Sequence, residues 1–464
     1  MLFEVALTTR SAYADQTPKK GRLWDNILRA ASGAHASALL DQTVVSGASF
    51  LTMIMIGRWT NPVELGLYAI GGSVLLLVLA IEVTLISLPY TVQRGSPVGT
   101  PAEYAGNALV QCVLLSLSIT VLLALAALGL IENRARPELV ALIWTLAGVA
   151  PFVVLRDFGR NFAFAHLRAG LALRLDAAVA AMQLTMLGWL GWTGRLSSSS
   201  AYVAIGVACA LSSIVWLYLA SADFAICAHR LAATMKRNWT LAKWIFGVQI
   251  TAALQIYLIY WLLAWLVGTR ETGVYAACIT VITLVNPLIL GFGNILMPKA
   301  VLAFKEENMA GLRRQISWDL LLRSGPMALF CLVILFAGED LLLLLYRNDD
   351  YAGHGHLITV LAFSSLALVI SMPPNNALLA MEHPREIFRT QALAAALTVA
   401  LVWSLVGEWG LLGAAYASLA GNVFMMTALW RAFVVLVAAH RLPKTVEPGL
   451  SKRVTRTAPV RANA

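Results

Sequence analysis

The chain has 464 residues, of which 59% are hydrophobic and 12% charged, with a formal charge of +10 and a mean hydropathy of +0.75. A soluble domain carries about 25% charge, so this composition excludes a soluble globular protein, and no polar stretch is long enough for a separate soluble domain. Five scattered cysteines (Cys112, Cys209, Cys227, Cys278, Cys331) show no C-x-x-C spacing and read as small core hydrophobes, not as a disulfide frame or a metal site.

Residues 1–36 contain no continuous apolar run, so they read as a cytoplasmic N-terminal segment and not as a cleaved signal peptide. From residue 37 to 438 long apolar runs alternate with short polar gaps. A bilayer core is roughly 30 Å thick and needs about 20 apolar residues per helix, a length this sequence supplies repeatedly. The runs predict an all-α polytopic membrane protein with twelve helices near 37–57, 67–92, 104–131, 138–158, 174–193, 201–222, 241–267, 273–297, 317–337, 352–376, 388–406 and 411–437. The expected organisation is a first lobe over 37–228, a cytoplasmic linker over 229–240, a second lobe over 241–438 and a basic tail over 439–464 that reads as disordered.

An even number of spans returns both termini to one side, and 27 of the 34 Lys and Arg residues fall on that side. The other side holds six: Arg58, Arg134, Arg136, Arg195, Arg270 and Arg347. The positive-inside rule then predicts that both termini are cytoplasmic. Spread over many short loops, the basic charge suits anionic lipid headgroups and argues against nucleic acid as a partner.

The two halves repeat. At an offset of 207, Glu64-Leu65-Gly66-Leu67-Tyr68-Ala69 falls on Glu271-Thr272-Gly273-Val274-Tyr275-Ala276, so the pattern E-x-G-x-Y-A occurs twice. Pro89 corresponds to Pro298, and Asn161, Ala165 and Arg174 to Asn376, Ala380 and Arg389. Six spans separate the copies, so the halves enter the membrane in the same sense, as parallel repeats. Two such lobes face to face can enclose a gap that opens to either side in turn.

The stretch LLDQTVVSGASFLTMIMIGRWTNPVELGLYAIG, with the polar pair Asp41 and Gln42, Arg58 closing the helix and the E-x-G-x-Y-A loop, resembles the opening of Wzx-type polysaccharide transporters. These belong to the MOP superfamily with the lipid II flippases and the MATE drug exporters. The resemblance implies two six-helix lobes and the export of a polyprenyl-pyrophosphate-linked oligosaccharide across a bacterial inner membrane for cell-surface polysaccharide. It also implies polysaccharide polymerase and chain-length proteins as partners, and a cavity lined by the first two helices of each lobe.

Candidate residues follow from polarity inside the spans. Gln42, Ser46 and Ser49 share one face of the first helix, Thr251 and Gln255 lie four apart in the seventh, and Asn286 and Asn294 lie eight apart in the eighth. Uncharged polar stripes suit a sugar path; they equally suit helix-to-helix hydrogen bonds. Arg58 offers a guanidinium fork to an oxyanion, or snorkels to headgroups, or pairs with Glu64. Glu82 stands out as an acid deep in a span, where a charge costs about 2.5 to 3.5 kcal/mol on insertion scales, so it reads as an ion-coupling or a structural residue. Asp319 and Arg323 lie four apart and read as an internal ion pair.

Asp157-Phe158-Gly159 spells a kinase motif with none of its companions, there is no G-x-x-x-x-G-K-[ST] for ATP, and no Cys/His cluster calls for a metal; no cofactor and no catalytic residue is expected. A MATE-like exporter of organic cations is the alternative cargo class. A membrane glycosyltransferase or ligase would rest on Glu339, Asp340, Asp349, Asp350, His354 and His356 near the longest outer loop.

Overall fold

The computed structural model describes residues 20–97 and 99–439; most of the N-terminal segment and all but the first residue of the basic tail lie outside the described residues. No strand occurs among them. Helices α1 (Lys20–Trp59), α2 (Pro62–Gln93), α3 (Pro101–Glu132), α4 (Pro137–Ala165), α5 (Ala169–Trp192) and α6 (Ser198–Leu219) form the first lobe. Helix α7 (Ala228–Leu266) opens the second. Starts are chemically marked: Asn61 caps α2, while Thr100 with Glu103 and Ser197 with Ser200 make reciprocal caps at α3 and α6.

Ten segments of the described residues are long and apolar enough to cross a bilayer. Twelve legs emerge once two continuous helices are divided where the backbone reverses. Asn308 and Gly410 both have φ of 54° with ψ near −135°, outside any helix. A Cβ on Gly311 would lie 2.7 Å from the Ala303 carbonyl oxygen, and one on Gly413 would lie 2.4 Å from that of Leu405. Eight residues of straight helix span about 12 Å, so both chains fold back on themselves. The second lobe therefore continues with α8 (Thr269–Ile282, a 3-10 turn Thr283–Val285, then 286–307), α9 (309–346), α10 (Gly355–Ala380), α11 (384–409) and α12 (411–439).

The repeat organises the contact between lobes. Gly66 on α2 and Gly273 on α8 are repeat mates, and they touch each other. A Cβ on Gly66 would fall 1.9 Å from the Thr269 carbonyl oxygen, and one on Gly273 would fall 1.8 Å from that of Pro62, itself the mate of Thr269. Only hydrogen at both positions allows so close a crossing of backbones. Around it the seam is apolar: Ile56 and Leu65 join Tyr275, Leu342, Tyr346 and Tyr351 in one core, with the Tyr346 ring against Gly57. The expected hydrated gap does not extend to this end of the bundle.

At the opposite, basic end the start of α7 is strapped to the first lobe. Arg230 pairs with Glu103 at 2.5 Å, Arg237 donates to Ser96, and Asn238 bonds both Tyr104 and Gln111. Gly106 lets the backbone at Ala225 approach, where the Ala225 N–H donates to the Ala102 carbonyl.

Candidate functional site

The sequence-predicted stripe on α1 forms, and its polar groups serve one another first. Gln42 Nε2 donates to Ser46 Oγ at 3.2 Å, and Ser49 is exposed. On α7, Thr251 Oγ1 donates back to the Gly247 carbonyl at 2.8 Å and Gln255 is half-buried. Asn286 is exposed just after the 3-10 turn of α8; the Asn294 side chain lies outside the described residues. Arg58 is exposed, and of its three readings the pairing with Glu64 does not form: the Glu64 carboxylate accepts from the Ser198 backbone N–H at 2.6 Å, tying α2 to the start of α6.

The more consequential site lies inside the first lobe, and it corrects the reading of Glu82 as an isolated intramembrane acid. Helix α4 does not end at 158. It continues to Ala165, and Arg156, Asp157 and Arg160, expected to sit at or beyond its end, lie within it. From there Arg160 reaches two helices at once, with Nη2 2.7 Å from Asp41 Oδ2 on α1 and Nε 2.7 Å from Asp176 Oδ2 on α5. Arg156, one turn earlier, meets the other Asp176 oxygen at 2.6 Å. The Asp41 and Asp176 side chains are 0% exposed, while Arg156 and Arg160 keep 16% and 21%. The acids are sealed, and the cations bridge between them and the surface. Beside them Gln183 on α5 donates to Thr52 on α1 at 2.7 Å, fastening the same two helices.

Glu82 occupies the other side of α4. Its chain winds as a π-turn over Val83–Ser87, with the Leu88 N–H reaching the Val83 carbonyl. That register brings Ser87 under the carboxylate, and Ser87 Oγ donates to Glu82 Oε1 at 2.6 Å. Asp157 is near enough to interact electrostatically with Glu82, and it accepts from Asn161 Nδ2 at 2.9 Å. Glu82 Oε2 and Asp41 Oδ1 are buried without a hydrogen-bond partner among the described residues.

The first lobe thus holds four carboxylates (Asp41, Glu82, Asp157, Asp176) against two guanidinium groups. If all six were ionised, two negative charges would remain uncompensated in a medium where each buried ion costs several kcal/mol. Protons or cations restore the balance. No group of three or more acidic, His or Cys side chains converges as a metal-binding set among the described residues.

The second lobe has a balanced counterpart. Asp319 and Arg323 on α9 pair at 2.5 Å as expected, and Asn376 on α10 donates to Asp319 at 3.2 Å.

No family model and no curated protein sequence matches the chain. Solved structures do. An inward-facing multidrug resistance MATE family transporter of the MOP superfamily superposes with a TM-score of 0.71 at 13% identity, over 87% of this chain and 98% of that one. An outward-facing one gives 0.60 at 14% identity, over 88% and 96%. A MOP superfamily transporter from Pyrococcus furiosus, described as having a binding pocket of reverse polarity, gives 0.63 at 14% identity, over 88% and 96%. The twelve-legged, two-lobed architecture of this chain is therefore the fold of the MATE transporters of the MOP superfamily.

Proposed function

We propose that this chain is an exporter that works by alternating access, its lobes rocking about the Gly66–Gly273 crossing while protonation of the Glu82–Asp157 pair biases the swing. The observation that carries this reading is the excess of two carboxylates sealed inside the first lobe. A site that must gain positive charge to be comfortable, placed beside a π-turn in a helix that lines the lobe interface, is suited to couple ion entry to a change of shape.

The cargo we assign is a lipid-linked oligosaccharide. Apart from Arg58, the candidate residues on α1, α7 and α8 are uncharged: Gln42, Ser46, Ser49, Thr251, Gln255 and Asn286, groups that bond hydroxyls well. The carboxylates are engaged by guanidinium, amide and hydroxyl partners, which leaves little acid free to hold an organic cation. The fold of multidrug transporters favours a second reading, export of small organic molecules, in which the unpartnered Asp41 Oδ1 would face the cargo.

Proteoliposomes test both. Wild type should move a fluorescent polyprenyl-linked sugar across the bilayer, faster with an imposed proton gradient, and leave organic dyes behind. Glu82→Gln should lower the rate at least about tenfold and flatten its pH dependence, since the amide keeps a partner for Ser87 but carries no titrating proton. Full activity with unchanged pH dependence in that variant would remove the coupling role, and dye transport in place of sugar transport would install the second reading.

A further inference from the structure

The basic end of the first lobe contains a pocket lined by none of the four buried carboxylates. This pocket of about 420 Å³ opens where four elements converge: Tyr90 and Arg94 from the end of α2, Tyr104 from the start of α3, His166 after α4, and Ala222 and Asp223 after α6. Its floor is aromatic, Tyr90 stacking on Tyr104 and on Phe162 at 5.5 and 5.6 Å, with His166 4.2 Å from Phe162.

Among the described lining residues, the buried polar atom left without a partner is a donor. Arg94 Nη1 is buried and finds no hydrogen-bond partner among the described residues. The His166 Nδ1–H donates to the Phe162 carbonyl at 2.9 Å, which leaves the opposite ring nitrogen uncommitted. Asp223 is already taken by Arg168 at 3.3 Å. The N-terminal end of the 32-residue helix α3 also lies on the wall, at Pro101 and Ala102, where Thr100 and Glu103 already cap it. Burial first, and then the Arg94 and Arg168 guanidinium groups, hold His166 below its ordinary range.

We propose that this pocket binds a phosphate group, held by Arg94 at the α2–α3 turn. An unpaired guanidinium in an enclosed space lacks what a phosphate oxygen supplies, a charge-assisted acceptor in the plane of the fork. The rim points to a phospholipid headgroup as the bearer of that phosphate. Leu167, Tyr218, Leu219 and Ile226 are all large, apolar and more than two-thirds exposed around the ends of α4 and α6, as suits side chains that meet acyl chains. The pocket is several times larger than one phosphate and accommodates a glycerophosphate. A soluble phosphate ester presents the same chemistry.

The test uses the full-length protein in nanodiscs of phosphatidylcholine alone or with phosphatidylglycerol, and in detergent with glycerol 3-phosphate. Lipid retained through purification is counted by native mass spectrometry, and protection is read from the thermal unfolding midpoint. Wild type should retain phosphatidylglycerol in preference to phosphatidylcholine and gain stability from it. Arg94→Gln should weaken retention about tenfold, and Arg94→Lys should lose less. Ala222→Trp, at an exposed position on the wall, should block binding by bulk alone, which keeps the test decisive if Arg94→Gln folds poorly. Protection by glycerol 3-phosphate that both variants abolish would assign the site to a soluble ester. Binding unchanged in Arg94→Gln and Ala222→Trp, or no binding of either probe by wild type, would overturn the proposal.

Discussion

The two lobes are built on one plan and spend it differently. Asn161 and Asn376 are repeat mates, and each donates through Nδ2 to a buried aspartate, Asp157 in the first lobe and Asp319 in the second. Around that shared amide the chemistry diverges. Where α4 carries Arg156, Asp157 and Arg160, the equivalent positions of α10 are Ser371, Met372 and Asn375, and the second lobe draws its single guanidinium from α9 instead. One acid against one cation makes a strut. Four acids against two cations make a site with a reason to take up charge. The repeat supplies the frame twice, and the copies differ in the charges they bury.

Removing the cation from each lobe breaks this comparison most severely. Arg160→Met strands Asp41 and leaves Asp176 with Arg156 alone, and should cost about 3 to 5 kcal/mol of stability, the range for a buried charge that loses its partner. Arg323→Met strands only Asp319, which still accepts from Asn376, and should cost less. Thermal or denaturant unfolding in detergent reads both. Equal losses would show that the first-lobe cluster is no more demanding than a single ion pair.

A second comparison lies between the crossing glycines and the free ones. Gly66→Ala or Gly273→Ala forces a Cβ into backbone and should cost about 1 to 3 kcal/mol in this closed arrangement, an overpacking penalty that the molecule can relieve by parting its lobes. Spin labels on cysteines introduced at Asn61 and Asp349, exposed on facing lobes at that end, should report a wider distance. Gly148→Ala, in a helix with nothing within 4 Å of the new methyl, should be neutral or stabilising by a few tenths of a kcal/mol to about 1. An unchanged distance in Gly66→Ala would place the pivot elsewhere.

The sequence made the frame legible because bilayer thickness imposes a length on every span and the E-x-G-x-Y-A copies mark the same turn twice. It also made Asp319 and Arg323 legible, since four-residue spacing is enough to pair them. The first-lobe cluster was not. Hydropathy weighs each charge alone, which closes the fourth span near 158 and opens the fifth near 174, leaving Asp157, Arg160 and Asp176 at or beyond their ends. Only the packing of α1, α4 and α5 brings Asp41 and Asp176 to opposite arms of one guanidinium, and that mutual neutralisation is what permits α4 to continue. The one available signal was the pair of four-residue spacings, Arg156 with Arg160 and Asp157 with Asn161, set within a helix that no proline or glycine cap closes. The α1 stripe was legible as a face, and what it faces was not.

The smallest expected effect sharpens the contrast between α2 and α8, which meet their prolines in different ways. Before Pro287, α8 tightens into a 3-10 turn at Thr283–Val285; before Pro89, α2 loosens into a π-turn at Val83–Ser87. In a regular α-helix, residues five apart point about 140° away from each other, so Ser87 could not serve Glu82. The π-turn puts them on one face, and the hydrogen bond then rewards the looser winding. Ser87→Ala removes that bond and leaves Glu82 without any partner among the described residues, which should cost about 1 kcal/mol. The cost should vanish in a Glu82→Gln background if Ser87 acts only through the carboxylate charge, and should persist if the hydroxyl serves mainly to shape the turn. A double-mutant cycle on unfolding free energy separates the two, and a coupling energy near zero would detach the π-turn from the ion site.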